Sequence, residues 1–161
     1  LPRIRRATPA DHATIWRILE PIIRAGETYA LPRDMTEADA LSYWTGPDRE
    51  TFIAERDENI LGTYYIRPNQ QGGGAHVANC GYATAAESSG RGVARAMCAH
   101  SLDHARMHGF RAMQFNFVIA TNTRAIRLWE SFGFTTLCRL PAAFNHPTAG
   151  PTDALVMFRT L

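Results

Sequence analysis

The sequence predicts a mixed α/β domain with a mostly antiparallel sheet of six to seven strands, a central parallel β-α-β crossover and helices on both faces. Three observations carry this. Thr51 to Arg56 and Ile60 to Arg67 are strand-like runs on either side of Asp57-Glu58-Asn59, a hairpin turn that makes the front half antiparallel. His76 to Thr84, an amphipathic stretch from Gly92 to about His108, and Met113 to Ile119 then give strand, helix and strand, which demands a parallel crossover. The 161 residues, 45% hydrophobic and 20% charged, suffice for one well-filled core and contain nothing resembling a linker, so residues 1–161 read as a single domain.

Each element has a local cause. Arg3 to Ala7 is a short strand. Thr8 as N-cap and Pro9 at the first helical position start a helix that carries Ile15, Ile18, Leu19, Ile22 and Ile23 on one face to about Arg24. Pro21 is expected to kink it or end it early. Gly26 to Arg33 is a loop rich in functional side chains. Thr36, followed by Asp39, caps a second helix with Ala40, Leu41 and Trp44 as its apolar positions. Pro68 to Ala75 holds three consecutive glycines and reads as a loop. Gly81 inside the strand from His76 suggests a bulge. Gly109 closes the long central helix, and Gly133 closes a shorter one from Asn122 to Phe132. Phe134 to Leu140 is a strand, Pro141 to Pro151 a turn-rich excursion, and Ala154 to Arg159 the last strand.

Composition excludes several classes. A net charge of +2, with the arginines spread along the chain, offers no footprint for nucleic acid or an anionic membrane. Cys80, Cys98 and Cys138 have no paired spacing, so they read as free thiols of a reducing compartment and not as a zinc site; no metal is expected. No run approaches the ~18 apolar residues of a membrane span, and no signal-peptide core opens the chain. The expectation is a soluble cytoplasmic domain, with Leu1 not its native start.

The most informative run is Ser89-Gly90-Arg91-Gly92-Val93-Ala94, between a strand and a helix. A strand that turns through glycines into a helix presents unpaired N–H groups and a positive dipole end to one point, which suits a phosphate or pyrophosphate. An ordinary strand–helix turn would look the same. A second segment, Asn122 to Trp129 followed by Gly133-Phe134, lies about thirty residues on, and the pair points to a coenzyme A-dependent acyltransferase. A dinucleotide oxidoreductase is disfavoured, because the loop follows the fourth strand and no acidic ribose ligand stands ~20 residues further on.

These segments resemble the Gcn5-related N-acetyltransferase family. Its phosphate loop is Gln or Arg, two residues, Gly, one residue, Gly or Ala; Gly92 and Ala94 match, whereas Ser89 stands at the Gln or Arg position. Its second motif has an asparagine at Asn122 and an aromatic, usually a tyrosine acid, where this chain has Trp129. An indole N–H is a donor but no usable acid, so Trp129 also reads as a packed core aromatic. The resemblance implies acetyl-CoA as cosubstrate, with Tyr82, Ala83 and Thr84 along pantetheine, Ser89 to Arg95 around the pyrophosphate (Ser89, Gly90, Arg91, Gly92, Val93, Ala94 and Arg95), and Asn122 and Trp129 near the pantetheine arm. Gly26-Glu27-Thr28-Tyr29, Phe144-Asn145-His146-Pro147 and Asp153 to Met157 are similar to a subgroup that includes yeast acetyltransferases of proline analogues such as azetidine-2-carboxylate. That subgroup builds its site from asparagines, at positions matching Asn79, Asn116 and Asn122.

Asn79 and Asn116 are amides inside apolar strands, where an unpaired buried polar group costs roughly 1–3 kcal/mol. Each needs a partner, either a neighbouring backbone group or a ligand. With Glu27 they form the expected catalytic set, and with Glu27 and Tyr29 the expected acceptor set. Glu87 and His76 read as solvated residues, and Cys80 lacks a partner histidine that would make it a nucleophile. Direct transfer needs a neutral amine, and an ammonium of pKa ~10 is neutral about one part in a thousand at pH 7, so a base or water relay is expected. The expected acceptor is a small amine or amino/imino acid, its carboxylate taken by backbone amides at a bulge near Gly81. A non-catalytic acyl-CoA sensor, a protein or peptide amine acetyltransferase and a homodimer are compatible with the same residues.

Overall fold

A computed structural model describes residues 1–161. Strands β1 (Arg3–Arg6), β2 (Glu50–Arg56), β3 (Asn59–Pro68) and β4 (Val77–Thr84) are antiparallel neighbours in sequence order. β5 (Ala112–Ile119) joins β4 in parallel, and β6 (Thr135–His146) and β7 (Gly150–Thr160) complete one sheet of order β1-β2-β3-β4-β5-β7-β6. The mixed sheet with one parallel pair is the architecture read from the sequence.

Successive strand residues point to opposite faces. Ile53 and Tyr65 accordingly join α1 (His12–Ala25) and α2 (Glu37–Trp44) in one core cluster. Their neighbours Phe52, Tyr64 and Ile66 join α3 (Val93–Met107) and, through Trp129, α4 (Thr123–Ser131) in the other.

Four local expectations are corrected. Pro9–Asp11 is a 3-10 turn ahead of α1, where the Thr8 N–H donates to the Asp11 carboxylate at 2.7 Å. Pro21 does not end α1, because Ile15, Ile18 and Leu19 before it and Ile23 after it are all buried against the sheet and hold the helix through one missing hydrogen bond. Pro141 to Pro151 is no excursion. β6 and β7 continue through it as a long hairpin, with His146 opposite Gly150. The edge position tolerates Pro141, and the irregularity beside it is absorbed at Ala142, whose φ is 48° and whose N–H donates to Asp153 at 2.8 Å. Gly81 is not a bulge either: β3 and β4 pair in unbroken register, with Tyr65 opposite Gly81. Glycine is needed there because a Cβ would overlap the Tyr65 ring.

Candidate active site

The parallel partnership of β4 and β5 lasts only two residue pairs, Val77 with Ala112 and Ala78 with Met113. The cause lies on the far side of β5. Its register with β7 slips between Phe115 and Val118, so the bulge stands at Asn116 and Phe117, and a bulged strand bends away from its neighbour. A wedge opens between β4 and β5 beyond Ala78.

β4 presents main-chain groups to this wedge. The bonds from Asn69 N–H to the Val77 carbonyl and from Ala85 N–H to the Leu61 carbonyl fix the alternation of the β3–β4 ladder. Val77, Asn79, Gly81 and Ala83 face β3, so Cys80, Tyr82 and Thr84 turn their backbone groups toward the gap. One of these groups is engaged: the Tyr29 hydroxyl donates to the Tyr82 carbonyl at 2.7 Å. The wedge widens into a cleft of about 960 Å³ that runs from the loop after α1 to the start of α3.

At its far end the glycine run takes the expected shape. A 3-10 turn at Ala86–Ser88 leads into Gly90 and Gly92, with φ of 80° and 77°, left-handed conformations that glycine accepts without strain. Gly92 is the N-cap of α3 and offers no side chain to the first-turn N–H groups. A Cβ at Gly92 would enter open space. The Ser88 hydroxyl, lining the same cleft, is buried without a partner. Over the loop lies Arg124 from the first turn of α4, whose Nη1 donates to the Ser89 hydroxyl at 3.0 Å. These groups together make an anion cradle.

The expected site residues are placed as follows. Ser89, Gly90, Gly92, Val93, Ala94 and Arg95 line the cleft, as do Tyr82, Ala83, Thr84, Asn122 and Trp129; Arg91 is exposed and outside the lining. The Tyr82 ring lies in the core, 4.9 Å from Trp129, with its hydroxyl on Ser101 at 2.6 Å. Trp129 is buried, and 5.0 Å from Phe115. Asn79 is also buried, and its Nδ2 donates across the apex of the wedge to the Gln114 carbonyl at 2.9 Å. Asn116, released by the bulge, accepts from Gln114 Nε2 at 2.9 Å and donates to Asn69 at 2.7 Å. Gln114 thus links the two asparagines. Tyr29 lines the cleft, whereas Glu27 is exposed and outside the lining.

The lining contains no carboxylate and no histidine, but it holds Arg67, Arg95, Arg124 and Arg127. Burial raises the Tyr29, Tyr65 and Tyr82 hydroxyls, which stay protonated. Burial likewise pushes the Cys80 thiol up, so it is no thiolate nucleophile. Sequence reasoning assigned no role to Arg124, Arg67, Tyr43 or Tyr65, which tertiary packing delivers to the cleft. Arg124 alone left a local signal. It stands two residues after Asn122, where it can serve a loop whose first position, Ser89, lacks charge.

A family model described as the acetyltransferase (GNAT) family matches residues 14–134. A curated relative, N-acetyltransferase aca1 of Schizosaccharomyces pombe, is 30% identical over 129 residues, 70% of this chain; the match spans 62% of that relative's length. The structure of a GCN5-related N-acetyltransferase from Kribbella flavida superimposes with a TM-score of 0.94 at 43% identity, covering 99% of this chain and 98% of that one. A phosphinothricin acetyltransferase from Sinorhizobium meliloti in complex with AcCoA gives a TM-score of 0.87 at 19% identity, covering 99% and 88%.

Proposed function

The chain belongs to the GNAT acetyltransferase family, and from that membership we propose that it moves the acetyl group of acetyl-CoA to the nitrogen of a small amine or amino/imino acid, by direct attack within a ternary complex. The observation that carries this reading is the wedge between β4 and β5 running into a glycine loop at a helix start. The residues present suit acetyl-CoA. The cradle of Gly90, Gly92, the first-turn N–H groups of α3, the unpartnered Ser88 hydroxyl and Arg124 matches a pyrophosphate in charge and hydrogen bonding. The gap-facing main chain of Cys80, Tyr82 and Thr84 offers strand-like partners to the amides of a pantetheine arm.

When bound, acetyl-CoA supplies an acyl carbon open to nucleophiles. The chain's own contribution is positioning and electrostatics. Gap-facing N–H groups of β4 donate toward a carbonyl oxygen lying along the strand. With no carboxylate or histidine in the lining, no side chain there acts as a base, so the amine proton passes to water. Arg67, at the end of the cleft away from the glycine loop, favours the neutral amine over the ammonium. Trp129 offers no acid to the departing thiolate, which takes its proton from water. Burial raises the Cys80 thiol, which speaks against an acyl-cysteine route.

The test joins calorimetry to thiol release. Acetyl-CoA should bind the wild-type protein, and Gly92→Val and Arg124→Gln should each weaken it about tenfold or more. Unchanged affinity in a Gly92→Val protein shown by circular dichroism to be folded would make the loop assignment wrong. Thiol release should follow with small amines; its absence with every amine would reduce the chain to an acyl-CoA-binding domain.

A further inference from the structure

We propose that Arg67, backed by Arg49, forms an anion subsite at the acceptor end of the cleft that takes the carboxylate of an amino- or imino-acid acceptor. The proposal rests on the acetyl-transfer reading and adds the chemical class of the acceptor. Its starting point is the regular register at Gly81, which removes the bulge amides expected to take a carboxylate.

The β2–β3 register sets Glu50 opposite Ile66, so one step further Arg49 stands across from Arg67 at the end of the hairpin. Like charges do not meet there without cause. Arg49 has a nearly buried side chain, 8% exposed, lying 4.9 Å and 4.7 Å from the Tyr43 and Tyr65 ring centres. Its Nε and Nη2 donate to Asp48 at 2.8 Å and 3.2 Å, while Nη1 is buried with no partner. Asp48 is thereby committed to Arg49. It reaches Arg67 only at 3.9 Å and is itself 58% exposed, which screens the contact. Two guanidiniums share one exposed carboxylate, and a positive charge is left over.

That charge faces the cleft. Arg67, Tyr43, Tyr65 and Asn79 all line it. Arg67 makes a single hydrogen bond, from Nε to Asn79 Oδ1 at 3.3 Å, which orients the guanidinium and leaves the Nη donors free. A guanidinium presented this way matches a carboxylate in a two-point, charge-assisted contact. The Tyr43 and Tyr65 hydroxyls lie 3.2 Å apart; one donates to the other, so one hydroxyl proton remains for a ligand. Since Arg67 pairs across the ladder with Asn79, one residue past the last β4–β5 pair, an acceptor held here by its carboxylate has its nitrogen beside the mouth of the wedge. An ammonium finds no counter-charge in the lining, which argues against polyamines and lysine side chains.

The test uses alanine, proline and glutamate, with alaninamide and prolinamide as neutral counterparts, titrated into protein saturated with CoA. The acids should bind and the amides should not. Arg67→Gln should weaken the acids about ten- to a hundredfold, leaving CoA affinity unchanged. Asp48→Asn should keep or tighten acid binding. Equal binding of acids and amides, retention of acid affinity in Arg67→Gln, or binding of no acid at millimolar concentration would each overturn the proposal. So would loss of acid binding in Asp48→Asn, which would make Asp48 the recognition group for an amine. Thiol release with the same acids is read separately. Acid binding without turnover would leave the subsite standing and sink the transfer reaction.

Discussion

Asn79→Ala removes the side-chain bond to the Gln114 main chain that crosses the apex of the wedge, and its effect can be worked from the geometry. The amide is 6% exposed and has two partners, the Gln114 carbonyl at 2.9 Å and Arg67 Nε at 3.3 Å. Alanine leaves both unpaired. Arg67 is 28% exposed and recovers its bond from water, so its share of the loss is small. The Gln114 carbonyl sits where the strands part, and an orphaned polar group of this kind costs about 1–3 kcal/mol. For a domain of this size each kcal/mol lowers Tm by about 2–4 °C, so a fall of roughly 2–12 °C is expected. Turnover should fall as well, because Arg67 loses its orienting bond, while acetyl-CoA affinity stays within a few-fold. Asn116→Ala is the control. Asn116 is exposed and bonded only to side chains, so turnover should drop with little change in Tm. Thermal melts by circular dichroism with steady-state kinetics separate the two. An Asn79→Ala protein as stable and as active as wild type would refute the apex bond and the site built on it.

Two further outcomes follow from packing and charge. Trp129→Phe should retain much of the activity at a modest stability loss, whereas Trp129→Ala should lose about 3–5 kcal/mol in urea unfolding; a folded Trp129→Phe enzyme a thousandfold slower would put the indole in the chemistry. His100 is held below its ordinary pKa by burial and then by neighbouring His104, with Asp103 opposing; its Nδ1 meets the Tyr64 hydroxyl at 2.7 Å. The folded state therefore resists protonation there, and its contribution is intact above about pH 6.5 and lost as pH falls through the depressed value. Tm should decline below about pH 6.5, and less steeply in His100→Gln; equal slopes in the two proteins would refute this assignment.

What the sequence reveals of this molecule is what local chemistry controls. Gly92 and Asn122 are legible because an α3 start with φ of 77° and an α4 N-cap are properties of a few consecutive residues. The β6–β7 hairpin is misread because Pro141 and Pro151 look like breakers, yet the edge strand β6 accommodates Pro141 beside an irregularity at Ala142, and Pro151 stands on β7 beyond its last pairing with β5, Ala154 opposite Ile119. The glycine at position 81 carries the right signal with the wrong cause. It makes room for a ring from β3, which only the register discloses. Arg49 and Arg67 are eighteen positions apart in the chain, and nothing in either neighbourhood marks them as partners. The hairpin register places them together, as the bulge at Asn116 and Phe117 aims Asn116 into the cleft.

The early parting of β4 and β5 has a consequence for the lifetime of the protein. A sheet whose central strands separate after two residue pairs is two half-sheets joined at a narrow waist, with main-chain groups along the opening that no strand pairs. The Tyr29 hydroxyl takes up the Tyr82 carbonyl, and the other gap-facing groups have no strand partner to stiffen them. A ligand that bonds along β4 completes the sheet as an extra strand would, and at a hundred times its dissociation constant it adds about 2.7 kcal/mol to the folded state. Amide exchange in Cys80, Tyr82 and Thr84 should then slow when the gap is filled. Resistance to proteolysis should rise in step with ligand concentration, which limited digestion with and without CoA measures.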